Sequence, residues 1–453
     1  MTLTYGIKDK PGFGKTILFA LQQLLAIMAA TIAVPAIVGN GMSQTAALFG
    51  AGVGTLVYLL FTKFKSPVFL GSSFAFLPSM FAAFAGAVSV QAGYAGLIIG
   101  ALFAGLVYVI IALVVKAVGT NWIDKIMPAV VIGPTVAIIG LSLAGNATGD
   151  LMNNGGFGTS TYVSLICGLV TLAATMLCSV YGNKFLKMIP FIIGILAGYA
   201  VAAVFTVIGI SAGNDALRVI NFDLFKSITW VPDFSFLTAV KGFSELDGKY
   251  IFAIFVAYAP VAFVVFAEHL ADHKNLSSII GTDLTKDPGL HRTLLGDGIG
   301  SFAGAVFGGC PNTTYGESIG CVAISGNASV ITILYTAVLA LVISFFGPFA
   351  TFLATIPSCV MGGVCIALYG FIAVSGLKMI QKVDLNDNKN LFVVSVILIA
   401  GVGTLTVSFG AVTLTDVACA LILGILTNVM LKGKEKKPEE EAKAEGEEEK
   451  ADK

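Results

Sequence analysis

Three carboxylates lie where the surrounding sequence is apolar. Glu268 follows the apolar run 251–267, Asp272 lies four residues further on, and Glu317 follows a glycine beside a second apolar run. A charge at the centre of a bilayer costs at least about 2.5 kcal/mol, so acidic side chains in such places are functional candidates. On a helix, Glu268 and Asp272 would point to one face. These groups can accept hydrogen bonds from the N–H groups of a ligand.

Two histidines accompany the first pair of carboxylates. His269 and His273 are each offset by one position from Glu268 and Asp272. We interpret them as the cytoplasmic end of a span that reaches water. Their four-residue spacing also occurs in zinc-binding helices, but an intramembrane metalloprotease has its glutamate directly after the first histidine. Because Glu268 precedes that histidine here, we expect no metal site.

Two further aspartates and the cysteines are less suited to this chemistry. Asp297 lies in a glycine-rich run, and Asp416 lies near the start of a span, where helix caps are common. The seven cysteines show no paired metal-type spacing. Free cysteine packs as a small hydrophobic residue. Without a nucleophile–base motif, an intramembrane enzyme is disfavoured.

The composition indicates which elements must position these groups. Of the 453 residues, 57% are hydrophobic and 11% are charged, and the mean hydropathy is +0.92. Soluble domains have about 25% charged residues. Apolar runs long enough to cross roughly 30 Å of hydrocarbon recur from Leu18 to Met430. The chain is therefore predicted to lie in a lipid bilayer, and its net charge of zero predicts no nucleic-acid partner.

Fourteen apolar segments are predicted to span the membrane. Their ranges are 16–39, 46–62, 68–87, 93–115, 126–144, 161–180, 188–211, 250–273, 292–309, 312–325, 329–350, 357–377, 390–408 and 412–431. Lysine and arginine fall in alternate loops, which places those loops and both termini in the cytoplasm. The tail from residue 432 is rich in lysine and glutamate and lacks aromatic residues, so we expect it to be disordered.

The two halves of the chain contain matching landmarks. A polar segment, 212–249, separates two sets of seven spans, so the second set has the inverted orientation. The glycine run 50–55 is echoed by 296–301, and each run is followed by a proline and a glycine-containing break, at 66–74 and 310–317. Broken spans at matching positions of inverted halves indicate a transport site near the membrane midplane. Free backbone N–H groups in such breaks can bind ligand oxygens.

These motifs resemble those of the nucleobase–cation symporter-2 family, also called the nucleobase–ascorbate transporters, and most closely those of the bacterial uracil permeases. The resemblance covers about residues 10–432 and is most specific in segments 71–76, 267–269, 287–292 and 311–317. It implies an all-α polytopic membrane protein with fourteen spans in a seven-plus-seven inverted repeat. Spans 3 and 10 are then short, broken and partly strand.

The same resemblance implies a division into a core domain and a gate domain. The core comprises 16–119 (spans 1–4) and 250–354 (spans 8–11), and the gate comprises 120–211 (spans 5–7) and 355–431 (spans 12–14). The remaining parts are a cytoplasmic N-terminus, an extracellular loop and a disordered cytoplasmic tail, at 1–15, 212–249 and 432–453. Substrate is expected between core and gate.

The resemblance also implies the residues of the site. The expected substrate-binding residues are Ala30, Ser73, Phe74, Glu268, Tyr315, Gly316, Glu317 and Tyr369. Glu317 would accept from ring N–H groups, and Glu268 would face the opposite edge of the ring. The amides near Phe74 and Gly316 would donate to carbonyl oxygens, and Phe74 would pack on the ring. Proton coupling is assigned to Glu268, Asp272 and His273.

Three positions depart from the family pattern. Asp272 stands where many uracil permeases have histidine. Purine-carrying relatives have aspartate at this position. Gln22 and Gln23 stand where the family often has Gln-His, and Ser318 stands where the motif has asparagine.

The expected function is a proton-coupled symporter that imports uracil across the inner or plasma membrane. Protons are the coupling ion and no cofactor is expected; a homodimer is a family expectation. The alternatives are a purine permease for xanthine or uric acid, an anion transporter of the same fold, and a channel.

Overall fold

The computed structural model describes residues 3–120, 122–153, 157–409 and 412–431, and these residues are mostly helical. The predicted disordered tail, 432–453, lies outside them. The helices of the first half are α1 (Phe13–Val38), α2 (Gln44–Phe61), α3 (Leu77–Ala85), α4 (Val90–Val118), α5 (Ile123–Ile126), α6 (Ala129–Ser142), α7 (Ala144–Leu151), α8 (Thr161–Tyr181) and α9 (Pro190–Ala212).

The second half contains nine further α-helices within the described residues. They are α10 (Ser235–Gly242), α11 (Gly248–Ile280), α12 (Leu290–Gly308), α13 (Gly316–Ser325), α14 (Val330–Ile343), α15 (Gly347–Ala354), α16 (Ser358–Ile380), α17 (Asn388–Val402) and α18 (Asp416–Met430). The strands are β1 (Leu70–Ser72), β2 (Asn312–Thr314), β3 (Val407–Phe409) and β4 (Val412–Leu414).

Length and hydropathy identify eight spans in the described part of the chain, and they indicate a multi-pass membrane protein. These spans are α1, α2, α4, α6 together with α7, α8, α9, α11 and α16. The pair α14 and α15, bent by 83°, passes the same test as one broken span. Several of the fourteen predicted segments are shorter than this test requires, since α17 and α18 have 15 residues each.

Two short strands form a buried antiparallel ribbon. In β1 and β2, Leu70 pairs with Thr314 and Ser72 pairs with Asn312, and all residues of both strands are buried. A three-residue pair has little stability of its own. Here α1, α2, α11 and α12 pack around it. The prediction of strand segments in the third and tenth predicted spans is confirmed.

The two glycine runs found in the sequence pack against each other. A Cβ atom on Gly54 of α2 would lie 2.7 Å from the carbonyl oxygen of Gly300 on α12. A Cβ atom on Gly50 would lie 3.1 Å from the backbone nitrogen of Gly308 and would overlap the carbonyl oxygen of Gly304. Small residues at such crossings allow helix backbones to approach closely within a membrane. The glycines therefore bring together the helices that precede β1 and β2.

We expect Gly50→Ala to lower the stability of the purified protein by about 1–3 kcal/mol, because the added methyl group forces α2 and α12 apart. The matched control is Gly145→Ala in α7, where a Cβ atom meets nothing within 4 Å. Thermal unfolding in detergent measures both variants. Equal melting temperatures for Gly50→Ala and the wild type would contradict this account of the crossing.

The helices form two packing groups. The first contains α1, α2, α4, α11, α12 and α14, and the second contains α6, α8, α9, α16, α17 and α18. Contacts within each group are more extensive than those between the groups, where α11 meets α6 and α18, and α1 meets α9 and α16. The ribbon of β1 and β2 belongs to the first group.

Candidate functional site

A cavity of about 390 Å³ lies between the two packing groups. The first group contributes the β1–α3 and β2–α13 junctions and one face of α11, and the second contributes parts of α6, α9 and α16. Its volume lies within the range of small-molecule sites. Five of the predicted binding residues line it: Phe74, Glu268, Tyr315, Gly316 and Glu317. Asp272, assigned to proton coupling, also lines it.

The other predicted binding residues lie outside the cavity wall. Ala30 and Ser73 are buried in the first packing group. Tyr369 of α16 is buried, and its ring meets that of Phe74 edge to face, with 5.7 Å between ring centroids. Tyr369 therefore contacts Phe74, a residue of the cavity wall, and does not itself line the cavity.

Two helix N-termini supply backbone donors to the cavity. α13 begins at Gly316, and a short 3₁₀ turn from Phe74 to Phe76 leads into α3. The first N–H groups of a helix have no acceptor within that helix, and the helix dipole leaves them partly positive. Because β1 and β2 are antiparallel, the two helices leave the ribbon in opposite directions. Both starts line the cavity.

The three carboxylates face this cavity and are each half-buried. Asp272 accepts a hydrogen bond of 2.8 Å from the Thr314 hydroxyl at the end of β2. Glu268 lies one turn earlier on α11, and Glu317 lies in the first turn of α13. Carboxylates in these positions can accept N–H donors of a ligand or hold a proton.

The interpretation that His269 and His273 reach water is wrong, since both side chains are fully buried. α11 continues past them to Ile280, so this level of the helix still lies inside the protein. Nδ1 of His273 lies 2.8 Å from the carbonyl oxygen of His269, which can only accept, so Nδ1 carries hydrogen. Nε2 lies 2.7 Å from the Tyr58 hydroxyl, which also bonds to the Ser66 hydroxyl.

Asp297, in the glycine run, has a buried hydrogen-bond partner. It lies in the middle of α12, and its Oδ2 lies 2.7 Å from Nδ1 of His269. Nε2 of His269 contacts the Thr293 hydroxyl at 3.0 Å. By contrast, Asp416 lies in the first turn of α18 and its Oδ1 accepts from the Val417 amide, as expected near a helix start.

Two of the departures from the family pattern touch each other. The side-chain amide of Gln23 on α1 donates to the hydroxyl and to the carbonyl oxygen of Ser318 on α13, the latter at 3.2 Å. The same hydroxyl accepts from the backbone amide of Phe69, just before β1, at 3.1 Å. These bonds join α1, α13 and β1 directly beside Glu317. The sequence showed both departures, but not their contact.

Several cavity residues were missed by the sequence analysis. Thr313, Lys187 and Asn275 all line the cavity. Asn275 follows Asp272 by three residues, so its helical spacing could have placed it on the carboxylate face of α11. Lys187 lies in a short 3₁₀ helix between α8 and α9, and nothing in its local sequence indicates a cavity.

Comparison with known proteins identifies the family. A sequence model described as "Permease family" (Xan_ur_permease) matches residues 14–409. The chain belongs to this family. The resemblance found in the sequence is thereby confirmed, and the protein is a membrane transporter rather than an enzyme.

Relatives and solved structures give consistent results. The uracil permease of Bacillus caldolyticus is 39% identical over 94% of this chain and 94% of its own length, and that of Bacillus subtilis (strain 168) has the same identity and coverage. The transmembrane domain of the cyanobacterial bicarbonate transporter BicA superposes with a TM-score of 0.65 at 18% identity. That match covers 93% of this chain and 99% of the BicA chain, and it shows a shared fold.

Proposed function

We propose that this protein imports uracil together with protons across the cell membrane by alternating access. Its relatives over nearly the whole chain are named uracil permeases. The observation that carries the proposal is the cavity wall at the start of α13. There the Glu317 carboxylate and the free amides of the first helical turn lie side by side. That pairing of acceptor and donors matches a ring edge that alternates N–H and C=O groups.

Uracil fits this wall by simple hydrogen-bond matching. Glu317 accepts from ring N–H groups, and the amides near Gly316 and Phe74 donate to ring carbonyl oxygens. Glu268 takes the opposite edge, directly or through water. Phe74 packs on the ring, and Tyr369 holds Phe74 in place by the edge-to-face contact. In this arrangement Tyr315 forms part of the wall, and Ser73 and Ala30 lie behind it.

The moving parts are the two packing groups, which we assign to a core domain (16–119 and 250–354) and a gate domain (120–211 and 355–431). Their limited mutual contact and the cavity between them support this division. The opposite directions of α3 and α13 support a seven-plus-seven inverted repeat of fourteen spans. Lys187 lines the cavity and lies in a connection whose lysines indicate the cytoplasmic side of the membrane, so the cavity opens inward. The same alternation of lysine-containing connections supports cytoplasmic termini. By analogy with the family, we expect the protein to form a homodimer.

The proton is assigned to Glu268 with Asp272. Both side chains face the cavity, where a proton and uracil can arrive together. His273 lies away from the cavity, and both of its ring nitrogens have hydrogen-bond partners. We therefore place His273 in a supporting role, in which it fixes α11 against Tyr58 of α2.

An anion transporter is the second candidate, because BicA, a bicarbonate transporter, shares the fold. Three carboxylates facing one cavity oppose that assignment, since like charges repel an anionic substrate.

Competition for uptake separates the candidates. In cells that lack their own permeases, we expect unlabelled uracil to abolish uptake of radiolabelled uracil, and excess xanthine, uric acid or sulfate to leave it nearly unchanged. Cells with the empty vector give the background. Stronger inhibition by xanthine or uric acid than by uracil would identify a purine permease. Absence of uracil uptake at normal membrane abundance would reject the proposal.

A further inference from the structure

A second, much smaller pocket lies among α4, α11, α12 and the start of β2, separate from the substrate cavity. Its volume is about 10 Å³, and its polar lining comes from Tyr108, Asp297, Ser301 and Asn312. The rest of the lining is apolar or glycine. A cavity of roughly 10–15 Å³ accommodates one water molecule when two to four polar groups surround it. The pocket thus has the size of a single-water site.

Three buried oxygens on the pocket lining have no partner at normal hydrogen-bond geometry within the described residues: the hydroxyl of Tyr108, Oδ1 of Asp297 and Oδ1 of Asn312. The Tyr108 hydroxyl and the Asp297 carboxylate nevertheless lie near enough to interact with each other. These residues are 3%, 1% and 2% exposed, respectively. The other polar atoms of the Asp297 and Asn312 side chains have partners. Oδ2 of Asp297 contacts His269, and Nδ2 of Asn312 donates to the carbonyl oxygen of Gly50. Leaving a buried polar group unpaired costs about 1–3 kcal/mol.

The hydrogen-bonding capacity of these oxygens identifies the ligand. Two of them can only accept, and the tyrosine hydroxyl has one hydrogen to donate. We propose that the pocket holds one structural water molecule, which donates to Asp297 and Asn312 and accepts from Tyr108. A cation would satisfy the two acceptors but would leave the tyrosine hydrogen without a partner.

This water joins three elements of the first packing group. It bridges α4 and α12 to Asn312, the first residue of β2. β2 leads directly into Gly316 and Glu317, so the water fixes the strand that positions the substrate carboxylate. That second role rests on the proposed function, whereas the water site itself does not.

The first test is a structure of the purified, full-length protein, in sodium-containing and in sodium-free buffer, at a resolution that shows internal waters. We expect density in both buffers about 2.7–3.0 Å from all three oxygens, the distance of a hydrogen bond. Density that disappears without sodium would overturn the proposal in favour of a cation. A pocket without density, with Tyr108 bonded directly to Asp297, would also overturn it.

The second test compares Ser301→Val, which fills the pocket, with Ser301→Ala, which leaves room for the water. We expect Ser301→Val to melt at a lower temperature and to bind uracil at least several-fold more weakly than Ser301→Ala. Equal melting temperatures would contradict the water site. A lower melting temperature with unchanged uracil affinity would retain the water and reject its role in positioning β2. Failure of the wild type to bind uracil would instead concern only the proposed function.

Discussion

Glu317→Ala is expected to reduce uracil affinity at least tenfold and to make binding hard to detect. In the proposed complex the Glu317 carboxylate accepts from uracil N–H groups in a water-poor cavity. Each hydrogen bond to a charged group contributes roughly 1.5–3 kcal/mol, and each 1.4 kcal/mol is a factor of ten in affinity. Glu317→Gln should be nearly as damaging, because its amide presents one acceptor and adds a donor that opposes an N–H group.

Calorimetry or scintillation proximity on purified, monodisperse protein measures this loss. Asp384→Ala is a suitable control, since that carboxylate is exposed and its hydrogen bonds to the described residues stay within its own loop. Glu317 makes no hydrogen bond to another described side chain that would hold the fold together, so both variants should fold. Near-wild-type affinity in Glu317→Ala would show that this carboxylate is not the uracil ligand, and the site would have to be rebuilt around Glu268.

Glu268→Gln is expected to remove most of the pH dependence of transport. If Glu268 must hold a proton for uracil to bind or for the core to move, wild-type uptake falls as the pH rises and the proton is lost. Glutamine imitates the protonated carboxyl group and cannot lose that proton. The variant should therefore give a nearly flat pH profile in whatever uptake or exchange remains.

Uptake or exchange of labelled uracil in proteoliposomes, over a series of pH values, provides the measurement. Glu245→Gln makes the same chemical change at an exposed glutamate that is not part of the cavity lining and accepts from the Ser89 hydroxyl, and it should keep the wild-type profile. An unchanged profile in Glu268→Gln at normal protein amounts would exclude Glu268 as the proton site. Asp272, bonded to Thr314 on the same cavity wall, would then be tested in the same way.

Local sequence was sufficient to find the two breaks and the carboxylates of this site. The breaks at 66–74 and 310–317 combine proline, glycine and hydroxyl residues, which together disfavour a continuous apolar helix, and the structure has strands there. Glu268 and Glu317 were identified because a carboxylate in apolar sequence is costly. Both line the cavity.

The surroundings of the histidines could not be predicted in the same way. An isolated helix that carries His269 and His273 does not show whether its end reaches water. Burial was decided by α12, which places Asp297 against His269, and by α2, which places Tyr58 against His273. Those partners are 28 and 215 residues away in sequence, and no local pattern links them.

The sequence by itself determined that the chain is a membrane protein, that two matching breaks interrupt its spans, and that a few carboxylates remain in apolar surroundings. These are properties of single segments, set by transfer free energy and backbone chemistry. Tertiary structure alone decided which segments meet: the glycine runs of α2 and α12, the ribbon of β1 and β2, and the contact between Gln23 and Ser318. Such contacts depend on the close packing of distant helices, so the cavity that unites Glu268, Asp272 and Glu317 exists only in the folded protein.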